Sequence, residues 1–375
     1  MPAARRFHVV ALGLLLACGG GRESDTPPAT SSAGSAETRT AFFYQDVSST
    51  GNAVRVGVTT DGRTVEPYGV NVLEWQVLGG QTQVYGDPVF SRLANGRWAM
   101  TAWTGSADPR GGAALLYHES DCPRVSASAV HVLRPSSAAG CTAGSTLAMA
   151  KTSQVFAAEG GNYLFTMTGG RILLVRLTDA THAATELTSI CVRSARPSSL
   201  TGLGWGEATV VVDESLAPGL LLSDTAIARR TDGTWVLFVK GIATNAGCTQ
   251  GGLCELCGRR IYRTTSTDLL RWSSPTSVVE QASVPEAASF PDGSVHLYWQ
   301  DFAPTCQAQD LNRAPRAPIS GGTEGADGRL GSTTAVFFSG ETFETDTRMH
   351  YPTNGNPVRL PDAAAANAFA ACFGR

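Results

Sequence analysis

One pattern recurs along this chain and limits its possible folds more than any single motif does. A polar residue opens a short strand, a glycine-containing turn follows, and an aromatic strand returns. The clear copies are Gly86-Asp87-Pro88-Val89-Phe90 with ANGRWAMTAW, Thr152-Ser153-Gln154-Val155-Phe156 with EGGNYLFTM, and Ser223-Asp224-Thr225-Ala226-Ile227 with TDGTWVLFV. A fourth is Pro285-Glu286-Ala287-Ala288 with PDGSVHLYW, and a weaker fifth joins residues 356–362 to AAAANAFAACF, read as its second strand. Aligned on 87, 153, 224, 286 and 356, the copies stand 66, 71, 62 and 70 residues apart. Each interval has room for four short strands and their loops, the size of a propeller blade.

A second element lies between the copies, a strand that enters a turn and ends on an aromatic. Its clearest form is Arg263-Thr264-Thr265-Ser266-Thr267-Asp268-Leu269-Leu270-Arg271-Trp272, with looser forms at 56–62 and 336–343. The last copy breaks off after two strands, so strands at 41–46 and 54–59 are placed to complete it. The expected fold is therefore all-β: a five-bladed β-propeller over 41–375, closed by N-terminal strands that remove the exposed edges of an open ring. The stretches 105–150, 181–222, 242–258 and 303–331 read as long insertions crowning the funnel or its opposite face. A composition of 42% hydrophobic and 16% charged residues supplies a core and excludes charge-driven disorder for the body. Net charge is −3, and the basic residues, almost all Arg, do not cluster, which argues against nucleic-acid binding.

The first forty residues are of another kind. Arg5 and Arg6 precede an apolar run over 8–17, the n- and h-regions of an export signal and too short to span a bilayer. Leu15-Leu16-Ala17-Cys18-Gly19 then resembles a bacterial lipobox, which implies a signal peptide at 1–17 and a lipidated Cys18. Residues 19–40 hold no aromatic and no large aliphatic side chain, so 18–40 reads as a flexible tether. The expected location is the bacterial cell envelope, outer membrane or surface, with the membrane reached through the anchor alone. Export leaves Cys122, Cys141, Cys191, Cys248, Cys254, Cys257, Cys306 and Cys372 in an oxidising compartment, where disulfides are expected. Cys122 with Cys141 is the expected pair, being close in sequence and flanking one loop. A metal site at Cys248, Cys254 and Cys257 is the rival reading, but it offers three ligands and no nearby His.

The order of Asp-Pro strand, Asn-Gly or Asp-Gly turn, aromatic strand and Ser-x-Asp-Leu-x-x-Trp resembles the five-bladed propeller glycoside hydrolases. This is the arabinanase, xylosidase and invertase-like group, glycoside hydrolase family 43-like. The resemblance covers most of 41–375. Six-bladed sialidases share the outer element with a glycine that Ser266–Trp272 lacks. In a propeller the inner strands start at one mouth of the channel, so Asp87, Ser153, Asp224, Glu286 and Asn356 are expected to converge. Carboxylates packed in a cleft can be held one protonated and one ionised, the requirement for glycosidic cleavage with inversion.

The resemblance implies Asp87 as general base. Glu286, the only Glu at an inner-strand start, is the candidate acid, and Asp224 tunes it or binds a sugar hydroxyl. Ser153 and Asn356 would contact substrate, and Trp205 and Trp103 would line the rim. Most other tryptophans, among them Trp98, Trp235 and Trp299, read as core. The family places Asp, Asp and Glu in blades one to three, whereas here blade two offers Ser153 and Gln154, and Glu286 falls in blade four; another register would bring in Glu159. The expected partner is a poly- or oligosaccharide, the chain reads as a monomer, and no cofactor or catalytic metal is required. A structural calcium ion in the channel is known in the family, with no ligands identifiable here. His118 and His296 are isolated and read as structural. A non-catalytic propeller binding a glycan or a protein remains the alternative function. Cys18→Ala is expected to move the protein from the membrane to the soluble fraction, and unchanged partition on fractionation would remove the anchor.

Overall fold

The computed structural model describes residues 39–48, 51–74, 77–78, 81–82, 85–104, 115–125, 130–142, 153–243, 259–290, 292–301, 319–331, 333–340 and 350–375. The segment around Cys18 and the cysteines at 248, 254, 257 and 306 lie outside them. The chain is built almost wholly of strands. It opens with β1 (Thr40–Ser48), β2 (Gly51–Thr59) and β3 (Thr64–Glu74), followed by the small ribbon β4 (Val77–Leu78) and β5 (Gln81–Thr82). Next come β6 (Tyr85–Arg92), β7 (Trp98–Thr104), β8 (Leu115–Ser120) and β9 (His131–Pro135), then β10 (Val155–Ala158), β11 (Gly161–Thr168), β12 (Arg171–Arg176), β13 (Ser189–Arg193) and β14 (Glu207–Val212). Two further meanders are β15 (Leu220–Arg229), β16 (Trp235–Ala243), β17 (Arg259–Ser266) and β18 (Thr276–Glu280), and β19 (Ala282–Ser289), β20 (Val295–Asp301), β21 (Ile319–Glu324) and β22 (Thr334–Ala335). The chain ends with β23 (Phe337–Phe338), β24 (His350–Arg359) and the helix α1 (Ala363–Ala371).

The hairpins joining the first two strands of a meander share one local design. In the β6–β7, β15–β16 and β19–β20 loops, Oδ1 of Asn95, Asp232 and Asp292 accepts the backbone N–H two residues on, at 3.0, 2.8 and 2.9 Å. The next residue is Gly96, Gly233 or Gly293, each left-handed with φ of 81°, 88° and 85°. That is the three-residue hairpin loop whose last position favours glycine.

The second recurring element also repeats bond for bond. The Ser266 hydroxyl donates to Asp268 and accepts from Leu269 N, while Asp268 Oδ1 accepts from Leu270 N and Arg271 N. Thr59 and Asp61 make the same set with Gly62 N, Arg63 N and Thr64 N. The third residue of each turn is left-handed, Leu269 at 65° and Gly62 at 71°. Partial burial pushes both Asp carboxyls up, but the turn's hydrogen bonds outweigh it and leave them below their usual range.

Sheet order shows how the ends of the chain meet. β24 pairs antiparallel with β1, with Val358 opposite Ala41 and Asn356 opposite Phe43, in the sheet β23-β3-β2-β1-β24. β15 to β18 and β19 to β22 form separate four-stranded sheets. β6 to β9 and β10 to β14 are joined into one sheet because β13 runs parallel to both β14 and β9. The apolar clusters lie between successive meanders. One contains Tyr117 and Leu164, another Phe156 and Trp272, a third Phe238 and Leu297, a fourth Phe42 and Tyr298, and the last Phe43 and Trp98. Trp98, Trp235 and Trp299 are core side chains. The arrangement is all-β and nearly closed on itself.

Three expectations are corrected. The segment AAAANAFAACF is no strand but α1, because alanine is the strongest helix former and Asp362 caps the first turn, accepting from Ala365 N at 2.7 Å. Phe369 of α1 packs on Phe43 and Trp98. Cys122 is not paired with Cys141; the disulfides are Cys122–Cys372 and Cys141–Cys191, with Cα separations of 5.6 and 5.1 Å. Sequence proximity misled here, since the turn after β8 lies against the end of α1 once β24 has docked on β1. Finally, β8, β9, β13, β14 and β21 occupy stretches read as insertions.

Cys122–Cys372 closes a loop of 250 residues and should contribute about 3–5 kcal/mol through the unfolded state. Cys122→Ala/Cys372→Ala is expected to lower Tm by roughly 5–10 °C. An unchanged calorimetric Tm would refute the bridge.

Candidate functional site

The candidate residues sit where the inner strands lose their regular ladder. In β6 the pairing slips between Gly86 and Val89, in β15 between Ser223 and Thr225, in β19 between Ser283 and Glu286, and in β24 opposite the step from Phe43 to Gln45. Asp87 and Asp224 therefore fall within bulges, while Glu286 and Asn356 border them. A bulge re-aims a side chain and is common beside active sites. Two bulges carry left-handed non-glycine residues, Asp224 at φ 38° and Val284 at φ 53°. Asp tolerates that region, but a β-branched Val there is strained by about 1–3 kcal/mol, and such strain clusters at functional sites. In β24 the irregularity is met by Gly355, where a Cβ would come within 2.7 Å of the Phe42 ring.

β19 packs beside β15 and β24, β24 beside β6, and β6 beside β10. The expected residues thus come from neighbouring strands, and two of them are bonded together: Asn356 Nδ2 donates to Glu286 Oε2 at 3.4 Å. Asn356 Oδ1 also accepts Phe90 N of β6 at 2.8 Å. Glu286 and Asn356 are each 1% exposed.

Asp224 differs in kind. It is fully buried and its carboxylate pairs with Lys240 Nζ on β16, itself 4% exposed. Oδ1 of Asp224 receives no hydrogen bond. The charge of Asp224 is thus met by a lysine, and the mutual repulsion expected of three funnel carboxylates does not describe it. Lys240 is one of only two lysines in the chain and was missed in sequence, although its place opposite Ser223 in the hairpin register was a usable signal.

Ser153 points inward to protein partners: its hydroxyl donates to Thr166 at 3.1 Å, and its carbonyl accepts from Thr101 of the preceding meander. The neighbouring Gln154 does more than the sequence suggested. Its Oε1 accepts Ile227 N of β15 at 2.7 Å and its Nε2 donates to Ala287 O of β19 at 3.5 Å. Glu159 stands at the hairpin end of β10, away from the strand's start. Trp205 packs on the outer strands, its indole N–H donating to Leu177 O at 3.0 Å and its ring stacked on His182. Trp103 faces Gly86 in register, one residue from Asp87, and the side chains of Trp103 and Asp87 lie outside the described residues. Among the described residues no His, Cys, Asp or Glu group is arranged to hold a metal.

No protein-family model matches the chain, and no curated protein matches its sequence. Solved structures do match. An exo-β-1,3-galactanase from Clostridium thermocellum aligns over 83% of this chain and 62% of its own length, with TM-score 0.52 at 13% identity. An endo-arabinase from Bacteroides thetaiotaomicron aligns over 83% of this chain and 97% of its own, with TM-score 0.47 at 12% identity. The GH43 protein BlXynB from Bacillus licheniformis aligns over 76% and 50%, with TM-score 0.47 at 12% identity. The chain thus shares its fold with the exo-β-1,3-galactanase of Clostridium thermocellum.

Lys240→Met would leave Asp224 as a buried, unpaired charge, at a cost of about 3–5 kcal/mol. Adding Asp224→Asn, tolerated at positive φ, should restore part of that loss. Additive destabilisation in urea melts of the two single variants and the double would show that the pair is not coupled.

Proposed function

We propose that this protein is a five-bladed propeller that hydrolyses a glycan, with Glu286 as general acid and Asp87 as general base. The placement of Glu286 carries the reading: a carboxyl at the bulge of β19, bonded to an Asn356 that also holds bulged β6, where Asp87 sits. A carboxyl on each of two inner strands joined through β24 fits the acid and base that hydrolysis of a glycosidic bond demands. The fold shared with the galactanase of Clostridium thermocellum supports a poly- or oligosaccharide as substrate. Five blades are supported by the five apolar clusters between successive meanders, with β6–β9 and β10–β14 counted as two meanders of one sheet, and by the β24–β1 pairing. Residues 41–375 form the propeller in this reading, tethered through 18–40 to a lipid on Cys18 at the cell envelope.

A non-catalytic glycan-binding propeller is the second reading. It is favoured by Asp224, which is neutralised by Lys240, and by Ser153, which is turned to Thr166.

Purified protein assayed on a panel of aryl-glycosides and polysaccharides separates the two. Hydrolysis that falls by about 10³-fold or more in Asp87→Asn and Glu286→Gln is expected. Equal residual rates in wild type and both variants, with glycan binding retained, would establish the binding module instead.

A further inference from the structure

Glu286 stands at a point where β19 has given up its own ladder. Between Ser283 and Glu286 the pairing with β20 slips, and Val284 takes a left-handed conformation that its branched side chain resists. A strand so irregular needs support from outside its sheet. The support comes from two carboxamides on neighbouring sheets, which converge on consecutive residues. Asn356 of β24 donates to the Glu286 side chain, and Gln154, just ahead of β10, donates to the carbonyl of Ala287.

The opposite end of each amide is tied down by a shorter bond. Phe90 N donates to Asn356 Oδ1 at 2.8 Å, and Ile227 N to Gln154 Oε1 at 2.7 Å. A backbone N–H can only donate, so each bond fixes which end of the amide is oxygen and turns the NH2 toward β19. Through these two side chains β6, β10, β15, β19 and β24 are all linked, and every link meets at 286–287.

We infer that Asn356 and Gln154 are positioning residues that hold the Glu286 carboxyl at the mouth of the channel, Asn356 by direct donation and Gln154 through the backbone beside it. Asn356 is thereby removed from the set of direct substrate contacts, since both ends of its amide are engaged by the protein. The inference rests on the reading of Glu286 as the acid. Other charged or titratable groups stand on the elements packed against β19: His296 of β20, opposite Ala288, stacks on Phe290 and is held below the usual imidazole range by burial, Arg260 of β17 pairs with Glu280, and Arg229 of β15 lies over Trp235. Asp224 and Lys240 pair with each other, Tyr298 of β20 donates to Gly62 O, Arg263 of β17 pairs with Glu324, and Asp87 lies on β6.

The test uses Asn356→Asp, Gln154→Met and the double variant Asn356→Asp/Glu286→Gln in the full chain. The new Asp puts a second carboxyl beside Glu286, and two carboxyls sharing a site do not both ionise near neutrality. The folded variant then holds a proton that the unfolded chain releases, so its stability relative to wild type is greatest in acid and is lost as pH rises. Its Tm deficit is expected to widen by about 3 °C or more from pH 5 to pH 8 and to stop widening once Glu286→Gln is added. A deficit flat with pH, or one unchanged by Glu286→Gln, would overturn the Asn356 assignment. For Gln154→Met, the Ile227 amide is expected to lose hydrogen-exchange protection and kcat to fall about 10- to 100-fold with KM within threefold. Protection lost with kcat unchanged would reduce Gln154 to a structural link. If wild type hydrolyses nothing, the glycosidase reading falls on its own, and the melting curves still decide whether Asn356 bears on Glu286.

Discussion

The antiparallel pairing of β24 with β1 is the contact on which the other features depend. Without it the sheet β1–β3 would present a bare edge, and the last strand would have no sheet at all. With it, Asn356 arrives opposite Phe43, beside β6 on one side and β19 on the other. α1 follows at once and buries Phe369 against Phe43 and Trp98, and Cys372 reaches Cys122. One long-range register therefore sets a core, a covalent staple and a site residue together. Contacts so remote in sequence carry a large loop-closure cost, which a disulfide spanning the same closure offsets in part.

Much of the architecture was legible because it repeats. The Asn-Gly and Asp-Gly hairpins and the Ser266-x-Asp268 turn each state their conformation in a few residues, and repetition turned weak signals into a fold. The closure by N-terminal strands was legible for the same reason, as a copy missing half its strands. What failed were elements without a local signature. β21 reads Ile-Ser-Gly-Gly-Thr-Glu, which shows neither alternation nor aromatic content, yet its glycines are needed where the Tyr298 and Trp299 rings lie across them. α1 was hidden by the repeat itself, since the search demanded a strand where alanine content and Asp362 called for a helix.

The site was legible as a set of positions but not as a set of interactions. Ser153 lies just ahead of β10, but Asp224 and Glu286 fall in mid-strand at the bulges of β15 and β19, and Asn356 falls in the second half of β24, so the expected strand starts are displaced by several residues. Their partners, Lys240, Thr166 and Phe90 N, come from other strands or other sheets and leave no mark in local sequence. Gln154 illustrates the point. In sequence it stood beside Ser153 as what the second copy offers in place of a carboxylate, whereas in space it ties the start of β10 to both β15 and β19. Trp205 shows the converse. A Gly-rich loop suggested an exposed rim, but its indole is spent on Leu177 and His182.

The two buried carboxylates are held by partners of different chemistry, and this difference bears most directly on function. Asp224 faces the Lys240 ammonium in a buried ion pair. Glu286 receives a hydrogen bond from the Asn356 amide. A general acid must gain and lose a proton in each turnover, so it is better served by a neutral partner than by a lysine that stabilises only one of its states. Asp224, tied to Lys240, holds β15 in its bulged, left-handed turn, and Glu286 is the carboxyl proposed above to move the proton. The departure from the family order of carboxylates then has a physical content. Asp224 of β15 is paired with Lys240, Gln154 ahead of β10 contributes an amide, and the Asn356 and Gln154 amides converge on β19 at 286–287.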